Sequence, residues 1–103
     1  MRIKVATLSD LNENQGHCVR ARENKIALFK SGGKVYAIAN ECPHRNGPLS
    51  EGMVYENIVI CPWHGWQFDI TTGLTTMGGE GVQSYPVEIE NENVYILLNQ
   101  KDN

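Results

Sequence analysis

The sequence lacks a long hydrophobic run, since no stretch approaches the roughly 20 apolar residues that a membrane-spanning helix requires. Residues 1–7 alternate apolar and polar side chains, as a strand does, and contain no signal-peptide core. The chain also lacks a basic patch, and its net charge of −3 has the wrong sign for nucleic-acid binding. We therefore expect a protein that binds neither membrane nor nucleic acid.

Cysteine is scarce and odd in number, with three residues in a chain of 103. An odd count does not suit a disulfide framework, which is a feature of secreted domains. We expect the cysteines to be metal ligands or buried thiols in a cytoplasmic protein. Strand alternation predicts that Cys18 is a small buried residue and that His17 is exposed, with neither taking part in chemistry.

Helical periodicity is nearly absent, and only residues 9–12 suggest a weak helical turn. Short strand-like runs between Gly, Asn and Pro turns instead predict an all-β fold, an antiparallel β-sandwich or barrel. At this length we expect a single domain that spans residues 1–103. The runs predicted as strands are residues 3–5, 18–22, 26–30, 35–39, 53–54, 58–60, 67–70, 87–90 and 94–98.

Two segments, residues 41–50 and 61–66, fit neither a strand nor a short turn. The first contains Cys42-x-His44 and the second Cys61-x-x-His64, so each offers one thiolate and one imidazole. Thiolates are soft ligands that suit iron–sulfur clusters and zinc, and imidazole suits several metals. Structural zinc sites usually open with two cysteines a few residues apart, which makes zinc the less favoured alternative. The spacing therefore predicts a metal centre.

The residues around these four ligands suit tight, closely approaching loops. Pro43 and Pro62 each fix φ directly after a cysteine. Gly47, Gly52 and Gly65 allow close approach of the backbone, so that peptide N–H groups could point at bridging sulfides. Such hydrogen bonds are one influence on the reduction potential of an iron–sulfur cluster.

The two ligand segments read CPHRNGPLSEG over residues 42–52 and CPWHGWQFD over residues 61–69, followed by TTG at 71–73. In these residues the sequence resembles the Rieske iron–sulfur family, and its strand order is similar to that of small Rieske-type ferredoxins. The resemblance implies a pair of antiparallel sheets with a cluster-binding subdomain inserted between two strands. It also implies one 2Fe–2S cluster per chain, with Cys42 and Cys61 on one iron and His44 and His64 on the other.

The sequence departs from the high-potential members of that family at three positions. Those proteins carry a further cysteine in each ligand loop and join the pair in a disulfide, whereas Gly47 and Trp63 stand at these positions here. Trp66 stands where they have a serine that hydrogen-bonds a bridging sulfide. We therefore expect a potential near the low end of the Rieske range, roughly −150 mV rather than +300 mV. Trp63, beside a ligand, is the better candidate for a docking surface. For Trp66, packing in the core and exposure on a docking surface are equally favoured.

Ring-hydroxylating oxygenases share the WHGW segment, but they need a second iron held by two histidines and a carboxylate. Only His17 remains once the cluster takes His44 and His64, so we expect an electron-transfer protein and not an enzyme. The prediction is a monomeric one-electron carrier between a flavin-dependent reductase and a terminal oxygenase. Two alternatives stay open: the small Rieske-like subunit of an assimilatory nitrite reductase, and a metal-stabilised, non-catalytic module.

Overall fold

The computed structural model describes residues 1–43, 47–63 and 65–98. These residues form ten strands and two 3-10 turns, at Leu8–Asp10 and Leu49–Glu51, and contain no α-helix. None of the helical segments among them is long and apolar enough to span a membrane. The strands are β1 (Arg2–Thr7), β2 (Gly16–Ala21), β3 (Asn24–Ser31), β4 (Lys34–Ala39), β5 (Met53–Tyr55), β6 (Ile58–Ile60), β7 (Gln67–Asp69), β8 (Ser84–Tyr85), β9 (Val87–Glu90) and β10 (Asn93–Leu97).

The strands form three antiparallel sheets, with the orders β1–β10–β9, β2–β3–β4–β8 and β5–β6–β7. The third sheet lies in the chain between β4 and β8, which are themselves hydrogen-bonded neighbours. Ala37 pairs with Tyr85, and the N–H of Ala39 donates to the carbonyl of Gln83 at 2.8 Å. We call this β4–β8 pairing the neck. The predicted all-β sandwich with an inserted subdomain is confirmed.

The four-stranded sheet packs against a core on each of its faces, and its central strand β3 is buried on both. Ile26 and Leu28 belong to a first core that includes residues of β1 and β10, whereas Ala27 and Phe29 belong to a second core with residues of β5–β7. All four side chains are fully buried. Residues 26–29 read as an unbroken apolar run because neither face of this strand meets water.

The predicted strands agree with the structure in number and order except for one, β8. Periodicity located both the β5–β6 hairpin and the β9–β10 hairpin, whose turns place Glu56, Asn57, Asn91 and Glu92 at positive φ. Strand β8 was missed, because its two residues end a glycine-rich segment and its pairing partner β4 is far away in the chain. The weak helical turn predicted at residues 9–12 is a 3-10 turn that begins one residue earlier.

Gly16 marks the close contact between β2 and the inserted subdomain. A methyl group at Gly16 would overlap the backbone carbonyl of Ser50, in the 3-10 turn that follows the first ligand segment. We expect Gly16→Ala to lower the free energy of unfolding by about 1–3 kcal/mol, because overpacking against backbone forces the two elements apart. Chemical denaturation measures this. Cys18→Ala, on the same face of β2 and exposed, should stay within about 0.5 kcal/mol of the parent. Equal stability of the two variants would contradict the close contact.

Candidate metal centre

The first ligand segment is a closed loop that leaves β4 and ends at the 3-10 turn Leu49–Glu51. The backbone N–H of Cys42 donates to the carbonyl of Gly47 at 2.9 Å. An antiparallel bridge between Glu41 and Pro48 closes the base of the loop just outside this bond. Cys42 is therefore held by main-chain hydrogen bonding, independently of any group that its thiol binds.

Asn40 fastens this loop to the rest of the protein. It is only 5% exposed, and its backbone N–H donates to the carbonyl of Lys25 at 3.0 Å. The carbonyl of Asn40 accepts from the N–H of Leu49 at 2.7 Å, and its Oδ1 accepts from the N–H of Ser50 at 2.8 Å. Sequence reasoning missed this residue. The one signal was a polar side chain at the end of a buried strand, two residues before a predicted ligand.

The second ligand segment closes in the same way. The N–H of Cys61 donates to the carbonyl of Trp66 at 2.7 Å, and the N–H of Gly65 donates to the carbonyl of Cys61 at 3.1 Å. Gly65 has a φ of 72°, which favours glycine, and a Cβ there would have open space around it among the described residues. Gly65 is thus favoured by its backbone conformation, and the expected approach of its N–H to a bridging sulfide stays a prediction.

The two loops meet at Gly47, which is buried. A methyl carbon at Gly47 would lie 2.8 Å from Sγ of Cys61 and 3.3 Å from Cγ of Trp63. Only a residue without a side chain allows this approach. Since the carbonyl of Gly47 also accepts the hydrogen bond from Cys42, this one glycine links the backbones that carry the two cysteines.

Both predicted cysteine ligands are buried in the second core, Cys42 at 0% and Cys61 at 1% exposure. All three cysteines lie in the described part of the chain, and none forms a disulfide. Two buried thiols from adjacent closed loops, with proline after each and glycine between them, form a donor set that suits a thiolate-binding metal centre. The described residues therefore fit a cluster held partly by Cys42 and Cys61.

The other two predicted ligands, His44 and His64, lie outside the described residues. Each follows a located cysteine by two or three positions. Their assignment as ligands stays a prediction.

The two tryptophans beside the second loop differ in burial. Trp63 is 62% exposed, while its indole ring lies where a Cβ at Gly47 would meet it. Trp66 is partly buried and packs against the second core. The assignment of Trp63 to the surface agrees with the prediction, and core packing is the role that the structure supports for Trp66.

The prediction for β2 was wrong: Cys18 is exposed and His17 is partly buried. The register pairs His17 with Leu28, on the face that meets the first core, and Cys18 with Ala27, on the opposite face. At β2, the outer strand of its sheet, the subdomain does not cover that opposite face at Cys18. Cys18 is distant in the chain from the ligand loops and is a natural control for them.

The chain matches the Rieske [2Fe-2S] domain over residues 1–86. It is 34% identical over 98 residues to the ferredoxin component of the naphthalene 1,2-dioxygenase system of Pseudomonas putida, covering 93% of this chain and 94% of that protein. It is 36% identical over 99 residues to apoptosis-inducing factor 3 of Homo sapiens, covering 94% of this chain. The chain spans only 16% of the length of that human protein.

A solved structure shares the fold over nearly the whole chain. This structure is described as a complex of reduced oxygenase and oxidized ferredoxin in carbazole 1,9a-dioxygenase. The matched chain superposes with a TM-score of 0.84 at 28% identity, covering 92% of this chain and all of that chain.

Proposed function

The chain belongs to the Rieske [2Fe-2S] domain family, and from this membership we propose that it is a one-electron carrier holding one 2Fe–2S cluster. The proposed ligands are Cys42 and Cys61 on one iron and His44 and His64 on the other. When bound, such a cluster accepts and releases one electron at a time. Cys42 and Cys61 would hold it from within the second core, where both thiols are buried.

The observation that carries this proposal is the contact of the two ligand loops at Gly47. It brings Cys61 against the loop that begins with Cys42, with both thiols buried. Two thiolates also suit zinc, but the family matched over residues 1–86, a range that contains both loops, is the Rieske [2Fe-2S] domain. Membership of the family therefore favours the iron–sulfur cluster over the zinc alternative.

One relative matched over nearly all of its own length is a ferredoxin component of a dioxygenase system. Carriers of this kind transfer electrons and do not act on the substrate, so the chain is not an enzyme by itself. We propose a flavin-dependent reductase as the electron donor and a terminal oxygenase as the acceptor. The carbazole dioxygenase structure, in which a similar ferredoxin is bound to an oxygenase, supports this choice of acceptor. The nitrite reductase alternative is the weaker interpretation, and no described residue favours it.

We further propose that residues 1–103 act as one monomeric domain in the cytoplasm. The thiols of Cys18, Cys42 and Cys61 form no disulfide, which suits a reducing compartment. Transient contacts between electron-transfer partners are small, so a stable oligomer is not needed for this function.

Metal analysis and electron paramagnetic resonance of anaerobically purified protein test the proposal. We expect about two irons and two acid-labile sulfides per chain, and a low-average-g signal after dithionite reduction, as mixed cysteine and histidine ligation predicts. The midpoint potential should lie near the low end of the Rieske range, roughly −150 mV. One zinc per chain and no signal, even after reconstitution with iron and sulfide, would overturn the carrier and favour the structural module.

A further inference from the structure

The β5–β6–β7 sheet buries one face in the second core and presents its other face outward. On the outward face the register places Met53 opposite Ile60 and Tyr55 opposite Ile58. Directly opposed residues in an antiparallel pair have Cβ atoms about 4.5–5.5 Å apart. These four residues therefore form one continuous patch, which we call the apolar face.

The apolar face is open and has a hollow in it. Met53 is 73% exposed and Tyr55 69%. A hollow of about 200 Å³ lies among Tyr55, Ile58 and Ile60, with Glu56 and Gln67 at its edge. A contiguous exposed apolar patch with a polar edge is typical of a protein-interaction site, and this hollow has room for one large side chain.

Carboxylates border the apolar face. Glu51 stands two residues before Met53, Glu56 follows Tyr55 in the hairpin turn, and Asp69 pairs with Ile58 across the sheet. Glu51 and Glu56 are exposed, and Asp69 is partly so.

Positive charge is missing from this part of the chain. No Lys or Arg occurs between Arg45 and Lys101, a stretch with seven carboxylates. Two of those, Glu88 and Glu90 of β9, lie 3.4 and 2.9 Å from the guanidinium of Arg2 on β1 of the same sheet. No described ion pair reaches the three carboxylates around the apolar face. The charge that residues 46–100 place around the apolar face is therefore wholly negative.

We propose that the apolar face docks a partner protein that presents an apolar side chain ringed by Lys and Arg. This inference rests on the proposed function, and the partner is one of the redox proteins that the carrier serves. A second copy of the chain would set the same carboxylates against each other, and an anionic lipid surface would be repelled in the same way. Charge complementarity therefore selects a cationic protein.

The position of the apolar face suits electron transfer. Ile60 directly precedes Cys61, and Gln67, its neighbour on β7, directly follows the residue whose carbonyl accepts the hydrogen bond from Cys61. A partner seated on this face would lie beside the second ligand loop. Electrostatic steering would bring it there faster at low ionic strength.

Cytochrome c, a cationic haem protein, is the probe. One electron passes from the reduced carrier to the ferric haem, and stopped-flow absorbance follows it. We expect the second-order rate constant to fall as salt rises from about 0.01 M, where the Debye length is about 30 Å, to about 0.1 M and above, where it is about 10 Å or less. The double variant Tyr55→Ser/Glu56→Gln should lower the low-salt rate constant about five- to tenfold, because it removes one apolar contact and one charge.

The matched control is Ile89→Ser/Glu92→Gln on the β9–β10 hairpin. Ile89 is 46% exposed, and Glu92, like Glu56, lies in a hairpin turn at positive φ. This control should keep the parent rate. Equal rates for all three proteins, equal slowing of both variants, or a dimer in sedimentation equilibrium would each overturn the docking proposal. Iron content and dithionite reduction of each variant, measured first, show separately whether the proposed carrier function holds.

Discussion

Replacing Cys42 or Cys61 by serine is expected to reduce the iron and sulfide content of the purified protein about tenfold or more, because metal binding needs every deprotonated ligand in place. Serine keeps the size of the side chain but offers a hard, weakly acidic hydroxyl in place of a soft thiolate. The two positions are buried and fastened by main-chain hydrogen bonds. We therefore expect each serine variant to lose the cluster while the backbone at the substituted position stays in place.

Cys18→Ser is the matched control for these variants. Cys18 is the third cysteine of the chain and is exposed on β2, so its loss should leave the iron content and the visible spectrum unchanged. Iron and sulfide assays with visible absorbance measure all three variants. Full iron content in Cys42→Ser or Cys61→Ser, or its loss in Cys18→Ser, would refute the ligand assignment.

Phe68→Ala is the second large effect that we expect. Phe68 is fully buried in the second core. It is the central residue of β7 and pairs with Val59 of β6. Truncation of a buried phenylalanine removes its transfer free energy and leaves a cavity, at a cost of about 3–5 kcal/mol. For a domain of this size, that loss lowers the melting temperature by roughly 12–40 °C, at about 4–8 °C per kcal/mol.

Thermal unfolding of the cluster-loaded protein, followed by circular dichroism and by cluster absorbance, measures this effect. Met53→Ala is the control, because Met53 belongs to the same sheet but is 73% exposed. It should change stability by no more than about 0.5 kcal/mol. Since β3 contributes to both cores, we expect both signals to be lost in one transition. Survival of the sheet signal after the cluster signal has gone would mean that the subdomain unfolds by itself.

The sequence predicted the parts of the fold that rest on local pattern. Period-two alternation and turn residues located both short hairpins, and the run at 26–30 located β3, although its burial on both faces was not predicted. The ligand loops were found from residue type and spacing, because ligand chemistry constrains both. Cys42 and Cys61 lie buried where that interpretation requires.

The features that sequence reasoning missed depend on contacts between distant segments. Strand β8 exists because it pairs with β4, and no pattern within two residues shows this. The predicted burial of His17 and Cys18 was reversed. Alternation shows that the two side chains lie on opposite faces of the strand, but it does not show which face the rest of the protein covers. Asn40 looks like an ordinary loop residue until its bonds to Lys25 and Ser50 are seen.

The neck lets the inserted subdomain be removed without changing the order of the other strands, but the stability of the remaining fold depends on the subdomain. Because β4 and β8 are adjacent, the chain leaves and re-enters the sheet at one place, so residues 40–83 could have been gained by a parent fold without rearranging its strands. Their removal today would bare Phe29 and Ile38, which the subdomain keeps at 0% exposure. A protein without residues 40–83 would therefore expose an apolar sheet face and tend to aggregate. The insertion thus supplies most of one of the two hydrophobic cores.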